Sequence, residues 1–281
     1  MQNILSAILL LIITTLASCQ MVTFKSPPGY TLKEPKITRL AESLHEISGI
    51  ALLNKNADTF YALNDEDGKL FYFNLQKKKT AFVKFGKPGD YEDVAINNNE
   101  FVVMKSTGDF YSFPLSVVGK DKVDSVTESK NPIPKNEYEG LFVDSTGRLF
   151  VLCKTCKGDK PSVAVKVYTL IKAANGSYVA DTIYHIDVTA ITNFLKEEKL
   201  SFRPSAFAIQ PITKEWYIIS SVNKLLVVAD ADFKVKAAYK LKPNLFRQPE
   251  GIAFDKDGNM YVSNEGRDED ADILTFKYTK P

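Results

Sequence analysis

The chain has 281 residues, and its 36 lysines and arginines nearly balance its 34 aspartates and glutamates, which leaves a formal net charge of +2. Basic and acidic residues are interspersed along the chain, so the sequence lacks the concentrated basic surface of a nucleic-acid-binding protein. We therefore expect no nucleic-acid partner.

The first segment predicts a signal peptide. Residues 1–18 carry no charged side chain, and their apolar run is too short to predict a membrane span. The letters LASC at residues 16–19 resemble the bacterial lipoprotein box, which implies that acylated Cys19 anchors the chain in a lipid bilayer through a tether over residues 19–36. Gln20 follows, as in outer-membrane-sorted lipoproteins, so we expect an exported, periplasm-facing lipoprotein. In the alternative, Cys19 is an ordinary residue beside a cleavage site.

A short block recurs through the rest of the chain. Its most complete copy covers residues 250–264, and each copy combines a small or acidic residue, an apolar strand, a turn and a second apolar strand. Aligned positions 49, 93, 140, 206 and 251 are 44, 47, 66 and 45 residues apart. Such spacing is typical of four-stranded propeller blades. The sequence therefore predicts an all-β, five-bladed β-propeller over residues 37–281.

Individual blades can be followed in chain order. The first repeat predicts four strands, at residues 50–53, 59–63, 70–75 and 80–85. In the third repeat, Asp187 is placed to cap a short helix over residues 188–199. This insertion accounts for the 66-residue interval, although a degenerate sixth blade is an alternative.

The last repeat is one strand short. It offers strands only at residues 252–254, 260–263 and 273–278, so a fourth must come from elsewhere. The extended segment at residues 30–39 is the candidate, because an outer strand from the N-terminus would close the ring and cover exposed edges.

Cys153 and Cys156 have C-x-x-C spacing in a chain predicted to be exported. A disulfide, two free thiols and a redox dithiol are the three possibilities. The redox interpretation is the weakest, because thioredoxin-type motifs open a helix whereas this one lies on a predicted strand.

The repeats resemble a known family. The letters that carry the resemblance are EISGIA at 46–51, YEDVA at 91–95, YEGLF at 138–142, RPSAF at 203–207 and QPEGIA at 248–253. Together with ALND at 62–65 they resemble the SdiA-regulated family of bacterial exported propellers, from about residue 37 to 278. The resemblance implies a fold and a compartment rather than a reaction.

The last block also resembles NHL repeats and the gluconolactonase and paraoxonase propellers. In those propellers a glutamate at this position and asparagines from neighbouring blades hold a calcium ion in the channel. By position, the resemblance implies Glu250, Asn64 and Asn264 as ligands.

The repeat register predicts rings of polar residues at one mouth of the central channel. The first ring lies at the start of the inner strands: Ser48, Glu92, Glu139, Ser205 and Glu250. The second lies at the end of the next strands: Asn64, Lys105, Cys153, Ser220 and Asn264. One residue later follow Asp65, Ser106, Lys154, Ser221 and Glu265.

Three converging glutamates need a positive charge among them. Calcium, held by Glu92, Glu139 and Glu250 with Asn64 and Asn264, is the expected cofactor, because it accepts oxygen ligands in loose geometry. In the alternative, Lys105, Lys154 and Arg203 neutralise the three glutamates pairwise and form a polar plug without a ligand. The remaining expected ligand-binding residues are Ser48, Asp65, Lys105, Lys154, Arg203, Ser205 and Glu265.

No catalytic motif accompanies the repeats, and the chain has only two histidines, neither in a triad-like setting. We therefore expect a cell-envelope module that binds an unidentified small molecule or protein at its channel mouth. The alternative is a calcium-dependent lactonase or esterase, in which calcium polarises the substrate carbonyl. A third interpretation is an envelope scaffold without a ligand.

Overall fold

The computed structural model describes residues 24–53 and 57–281, and within them twenty strands form five four-stranded antiparallel sheets. The inner strands of neighbouring sheets contact each other around a closed ring, and the last contacts the first. The prediction of five blades is thus confirmed. The predicted signal peptide, Cys19 and the first tether residues lie outside the described residues.

Each blade uses four strands that are consecutive in the chain, except for the last. The first four blades are β2–β5, β6–β9, β10–β13 and β14–β17, and the fifth is β18–β20 with β1. The bounds are β1 Lys36–Arg39, β2 Ile47–Leu52, β3 Phe60–Asn64, β4 Lys69–Asn74, β5 Lys77–Lys84, β6 Tyr91–Asn97, β7 Glu100–Lys105, β8 Phe110–Pro114, β9 Thr127–Ser129, β10 Glu137–Val143, β11 Leu149–Thr155, β12 Ala164–Lys172, β13 Tyr178–Asp187, β14 Ala206–Ile209, β15 Trp216–Ser220, β16 Leu225–Ala229, β17 Val235–Lys240, β18 Pro249–Phe254, β19 Met260–Asn264 and β20 Asp272–Phe276.

The core lies between the faces of adjacent blades. Strands such as β15 and β16 are buried at every residue because both of their faces pack on a neighbouring sheet, so they form continuous apolar runs. The single tryptophan, Trp216, stacks between Phe207 and Phe233, with ring centroids 4.9 and 4.7 Å away. Trp216 also contacts Phe142 and Phe150 of blade three, each with ring centroids 5.1 Å away, and this aromatic packing holds blade three to blade four.

The N-terminal segment closes the ring. Strand β1 pairs antiparallel with β20, with Lys36 opposite Thr275 and Arg39 opposite Asp272, and completes blade five. This confirms the prediction of an outer strand from the N-terminus. Residues ahead of β1 that were placed in the predicted tether also lie against the propeller, since Tyr30 and Leu32 are buried in the core of blades four and five.

Two faces can be distinguished. We call the face where the inner strands begin the upper face and the face where they end the lower face. Tyr30 lies on the lower face, where its hydroxyl donates to the Gly258 carbonyl, 2.6 Å away, in the turn between β18 and β19.

The insertion in blade three is a long hairpin and a helix, so the alternative of a sixth blade is wrong. Helix α1 (Val188–Leu195) begins where the Asp187 side chain accepts a hydrogen bond from the Thr189 amide. It ends before the expected residue 199 because Lys196 adopts a left-handed conformation with φ 57°. The helix packs on β12 and β17 at the outer seam of blades three and four. No helix in residues 24–53 and 57–281 has the length and apolar character of a membrane span.

Candidate functional site: a carboxylate-lined channel mouth

Bulges in the inner strands position the three glutamates of the first ring. In β6, Tyr91 pairs with Lys105 and Asp93 with Met104, so Glu92 is an extra residue without an opposite partner. Glu139 in β10 and Glu250 in β18 stand at the same position of their blades. A bulge re-aims the side chain of the extra residue. Here, three bulges direct three carboxyl groups towards the channel axis.

Lys154 lies among these carboxyl groups. Its Nζ is 2.7 Å from Glu139 Oε1 and 3.3 Å from Glu137 Oε1. Burial alone would lower the pKa of Lys154, but the charge of Glu139, their hydrogen bond and the charge of Glu250 raise it above its ordinary value. Lys154 therefore stays protonated and supplies positive charge at the mouth.

Burial raises the pKa values of all three glutamates above that of an ordinary glutamate. Burial, together with the charges of Glu139 and Asp90, raises the pKa of Glu92 to about 10. Burial also raises the pKa of Glu139 to about 7, although Lys154 acts in the opposite direction. The pKa of Glu250 is raised by burial against the same lysine. At neutral pH, Glu92 is therefore protonated.

A second acidic group lies where blade five meets blade one. Burial, Glu46, Glu66 and Asp90 raise the pKa of Asp65 to about 6, and its Oδ1 is buried without a hydrogen-bond partner among the described residues. Burial and a hydrogen bond with Glu46 raise the pKa of Glu265 to about 8. Carboxyl groups thus outnumber basic side chains around the mouth.

The second predicted ring has its side chains engaged elsewhere. Asn64 Oδ1 accepts from the Glu66 amide at 3.0 Å within a turn. The Asn264 amide nitrogen donates to the Leu245 carbonyl at 2.8 Å and to Asp272 at 2.9 Å. Lys105 lies over the Tyr91 ring, 4.9 Å from its centroid, and not beside Glu92.

Two further predicted residues lie apart from the three glutamates. Cys153 forms a disulfide with Cys156, and Arg203 is exposed at the rim. Lys105, Lys154 and Arg203 were expected to neutralise the three glutamates. Among the described residues, only Lys154 forms an ion pair with one of them, Glu139.

The serines of the first ring are buried and link blades. Ser205 Oγ donates to the Pro249 carbonyl at 2.6 Å, which joins blade four to blade five. The Ser48 carbonyl accepts from Ser263 Oγ at 3.1 Å, which joins blade five to blade one. Both serines therefore hold the ring together.

A buried waist closes the channel below the mouth. Asp93 stands where three other blades have glycine, and its two oxygens accept from the amides of Val94 at 2.8 Å and Leu141 at 2.7 Å. A Cβ on Gly49 would be 1.8 Å from Asp93 Oδ1, so a glycine is needed there. Below this waist, the channel is an apolar cavity of about 130 Å³ lined by residues such as Ile50, Ile96 and Phe254. Within the channel, the acidic side chains therefore lie above the waist.

Further mouth residues were missed from the sequence although the repeat carries a signal for them. They lie two positions before the first-ring residues: Glu46, Asp90, Glu137 and Gln248. Alternate residues of a strand point to the same side, so extending the alignment by two residues could have found them.

The donor set at the mouth is rich in oxygen. The described part of the chain contains no group of three or more histidine, cysteine, aspartate or glutamate side chains placed to hold a metal ion. The ammonium group of Lys154 lies against Glu139, whereas Asn264 Oδ1, the amide atom that could bind a metal ion, is buried without a hydrogen-bond partner among the described residues. In this arrangement Lys154 supplies positive charge beside Glu139, and a metal ion bound there would compete with it.

Comparisons with known proteins agree on the fold. The model of the SdiA-regulated family matches residues 27–267. No curated protein is similar enough in sequence to count as a relative.

Solved structures show the same fold at low identity. The luciferin-regenerating enzyme is 14% identical with a TM-score of 0.57, and the match covers 87% of this chain and 95% of that one. Glutaminyl cyclase from Myxococcus xanthus is 12% identical with a TM-score of 0.57 and the same coverage. Regucalcin from Agrobacterium tumefaciens, described as a calcium-binding protein, is 13% identical with a TM-score of 0.50, covering 91% and 96%. At these identities the likeness concerns the fold alone.

Proposed function

This chain belongs to the SdiA-regulated family, and from that premise we propose that it is a membrane-anchored binding module of the bacterial cell envelope whose channel mouth takes a cationic ligand. The observation that carries the proposal is the convergence of Glu92, Glu139 and Glu250 at three bulges. Acylation of Cys19 would supply the anchor, in a bacterial outer membrane facing the periplasm.

The charge at the mouth favours a cation. Glu92 and Glu265, with pKa values near 10 and 8, carry protons at pH 7 because burial and neighbouring carboxylates disfavour their ionised forms. A bound cation favours the ionised form, so binding should release protons and become tighter as the pH rises. Lys154 already places an ammonium group beside Glu139, which supports the proposal that cationic groups bind at the mouth.

The experiment is calorimetric titration of the mature chain with spermidine, and separately with calcium chloride, at pH 6 and pH 8 and constant ionic strength. We expect binding of spermidine that is tighter at pH 8, with protons released to the buffer. Glu250→Gln should weaken it at least fivefold. The matched control, Asp268→Asn, removes a carboxylate from an exposed loop of the same face and should change little. Absence of heat with both cations would contradict the proposal.

Calcium remains the metal that we propose for this mouth on the resemblance to gluconolactonase-type propellers. Its binding would compete with Lys154, whose positive charge beside Glu139 repels a second cation. Lys154→Met should therefore strengthen calcium binding if the ion uses this carboxylate. Equal affinity of both proteins for calcium would contradict that assignment.

The alternative of a calcium-dependent lactone or ester hydrolase is tested on the same proteins. A panel of lactones and aryl esters, assayed with calcium and with EDTA, should show no turnover by a binding module. Calcium-dependent turnover that is lost in Glu250→Gln would instead favour the hydrolase.

A further inference from the structure

The described chain enters the propeller at its lower face. The Gly29 carbonyl accepts from the Thr279 amide at 2.9 Å, and the Tyr30 hydroxyl donates to Gly258. The Tyr30 ring also packs on Tyr278, with centroids 5.3 Å apart. These contacts attach the N-terminal segment to the side of the ring opposite the acidic mouth.

The distance from this attachment to Cys19 is limited by covalent geometry. Cys19 precedes Gly29, whose carbonyl contacts Thr279, by ten residues. A chain spans at most about 3.5 Å per residue, so these residues reach no further than roughly 35 Å. Inner strands of six or seven residues separate the two faces by about 20 Å before loops are added. To bring the upper mouth to the membrane, the segment would have to run extended past the whole thickness of the ring, so an anchor at Cys19 favours the lower face as the side nearer the bilayer.

The surface around the attachment has the charge that an anionic bilayer would attract. Lys214, Lys277 and Lys280 are exposed there and form no ion pair with any described residue, and Ile212 beside them is 46% exposed. We call these four residues the tether patch. Lysines close to an anionic membrane are attracted by its negative surface potential. The acidic mouth would be repelled by the same surface.

We propose that the lower face rests on the membrane through the tether patch, so that the acidic mouth is turned towards the periplasm. This inference rests on the acylation of Cys19 in the proposed function. It identifies the partner of the lower face as a bilayer with anionic headgroups, and it leaves the mouth open to soluble cationic ligands.

The test uses the mature acylated chain in phosphatidylethanolamine–phosphatidylglycerol vesicles that contain a nitroxide-headgroup lipid. A fluorophore is placed on Ile212→Cys in the tether patch or on Asp268→Cys at the upper face. Cys153 and Cys156 are joined in a disulfide and do not compete for the label. We expect the lower label to be quenched at least threefold more than the upper one. Equal quenching, or stronger quenching of the upper label, overturns the orientation.

Two further measurements separate orientation from anchoring. Changing Lys214, Lys277 and Lys280 to glutamate should reduce quenching of the lower label while the chain still sediments with vesicles. Cys19→Ala should leave the chain in the supernatant. If mass spectrometry shows no acyl group on the mature chain, both the anchor and the orientation are refuted. If the group is present but quenching is reversed, only the orientation fails.

Discussion

Replacing Glu92 by glutamine should stabilise the protein at neutral pH. Glu92 has a pKa of about 10 in the folded protein, against 4.5 for an ordinary glutamate, because of burial and the charges of Glu139 and Asp90. A raised carboxyl pKa contributes stability at low pH that is lost as the pH rises from the unfolded value towards the folded value. At pH 7 this loss amounts to up to about 3 kcal/mol, at about 1.4 kcal/mol per pH unit.

Glutamine is uncharged at every pH and keeps a donor for Asp90, so Glu92→Gln removes this loss. The gain in the free energy of unfolding should approach 3 kcal/mol at pH 7 and fall below about 1 kcal/mol at pH 5. Urea denaturation followed by fluorescence of Trp216, which is buried between two phenylalanine rings, measures both values. The control is again Asp268→Asn.

Comparing the stability gain of Glu92→Gln at pH 5 and pH 7 separates an effect of ionisation from an effect of packing. Equal gains at pH 5 and pH 7 would mean that packing, rather than the ionisation of Glu92, explains the effect. A loss of stability at pH 7 would refute the raised pKa. In the same variant, binding of a cation should weaken, because a carboxylate that becomes charged on binding has been removed.

Three further results are expected from urea denaturation. Asp93→Ala should cost about 2–5 kcal/mol, since the amides of Val94 and Leu141 lose their acceptor; a cost under 1 kcal/mol would contradict the role of the waist. Changing both Cys153 and Cys156 to serine should cost about 2 kcal/mol, because the disulfide closes a loop of only four residues, and reductant should have no effect on this variant. Deleting residues 24–39 removes β1 and exposes β20, so the unfolding midpoint should drop sharply; an unchanged midpoint would show that the ring closes without β1.

The blades could be predicted from the sequence because their signals are local. Each repeat carries its own strand pattern and turn residues, and the missing strand of blade five followed from the short last repeat. The capping of α1 by Asp187 could likewise be predicted from the sequence. The early end of α1 could not, because it depends on the left-handed conformation of Lys196. A single backbone conformation of a non-glycine residue leaves little trace in a sequence pattern.

The mouth was predicted only in part, because a bulge is a property of two paired strands. The glutamates at 92, 139 and 250 were found from the repeat, but their extra position in the pairing was not. A bulge shifts the alternation of side chains by one residue. Lys154 and Glu265 were expected at the mouth and contribute to its charge, whereas the side chains of Asn64 and Asn264, expected there as well, make other hydrogen bonds.

The strand that completes blade five also determines how the molecule responds to mechanical load. Force applied ahead of Phe24 first meets the contacts of Tyr30 and then runs along β1, which leads from the lower to the upper face. A pull in that direction shears the β1–β20 hydrogen bonds together instead of unzipping them one at a time. The β1–β20 pairing should therefore resist a pull along the N-terminal segment better than a pull perpendicular to the strands.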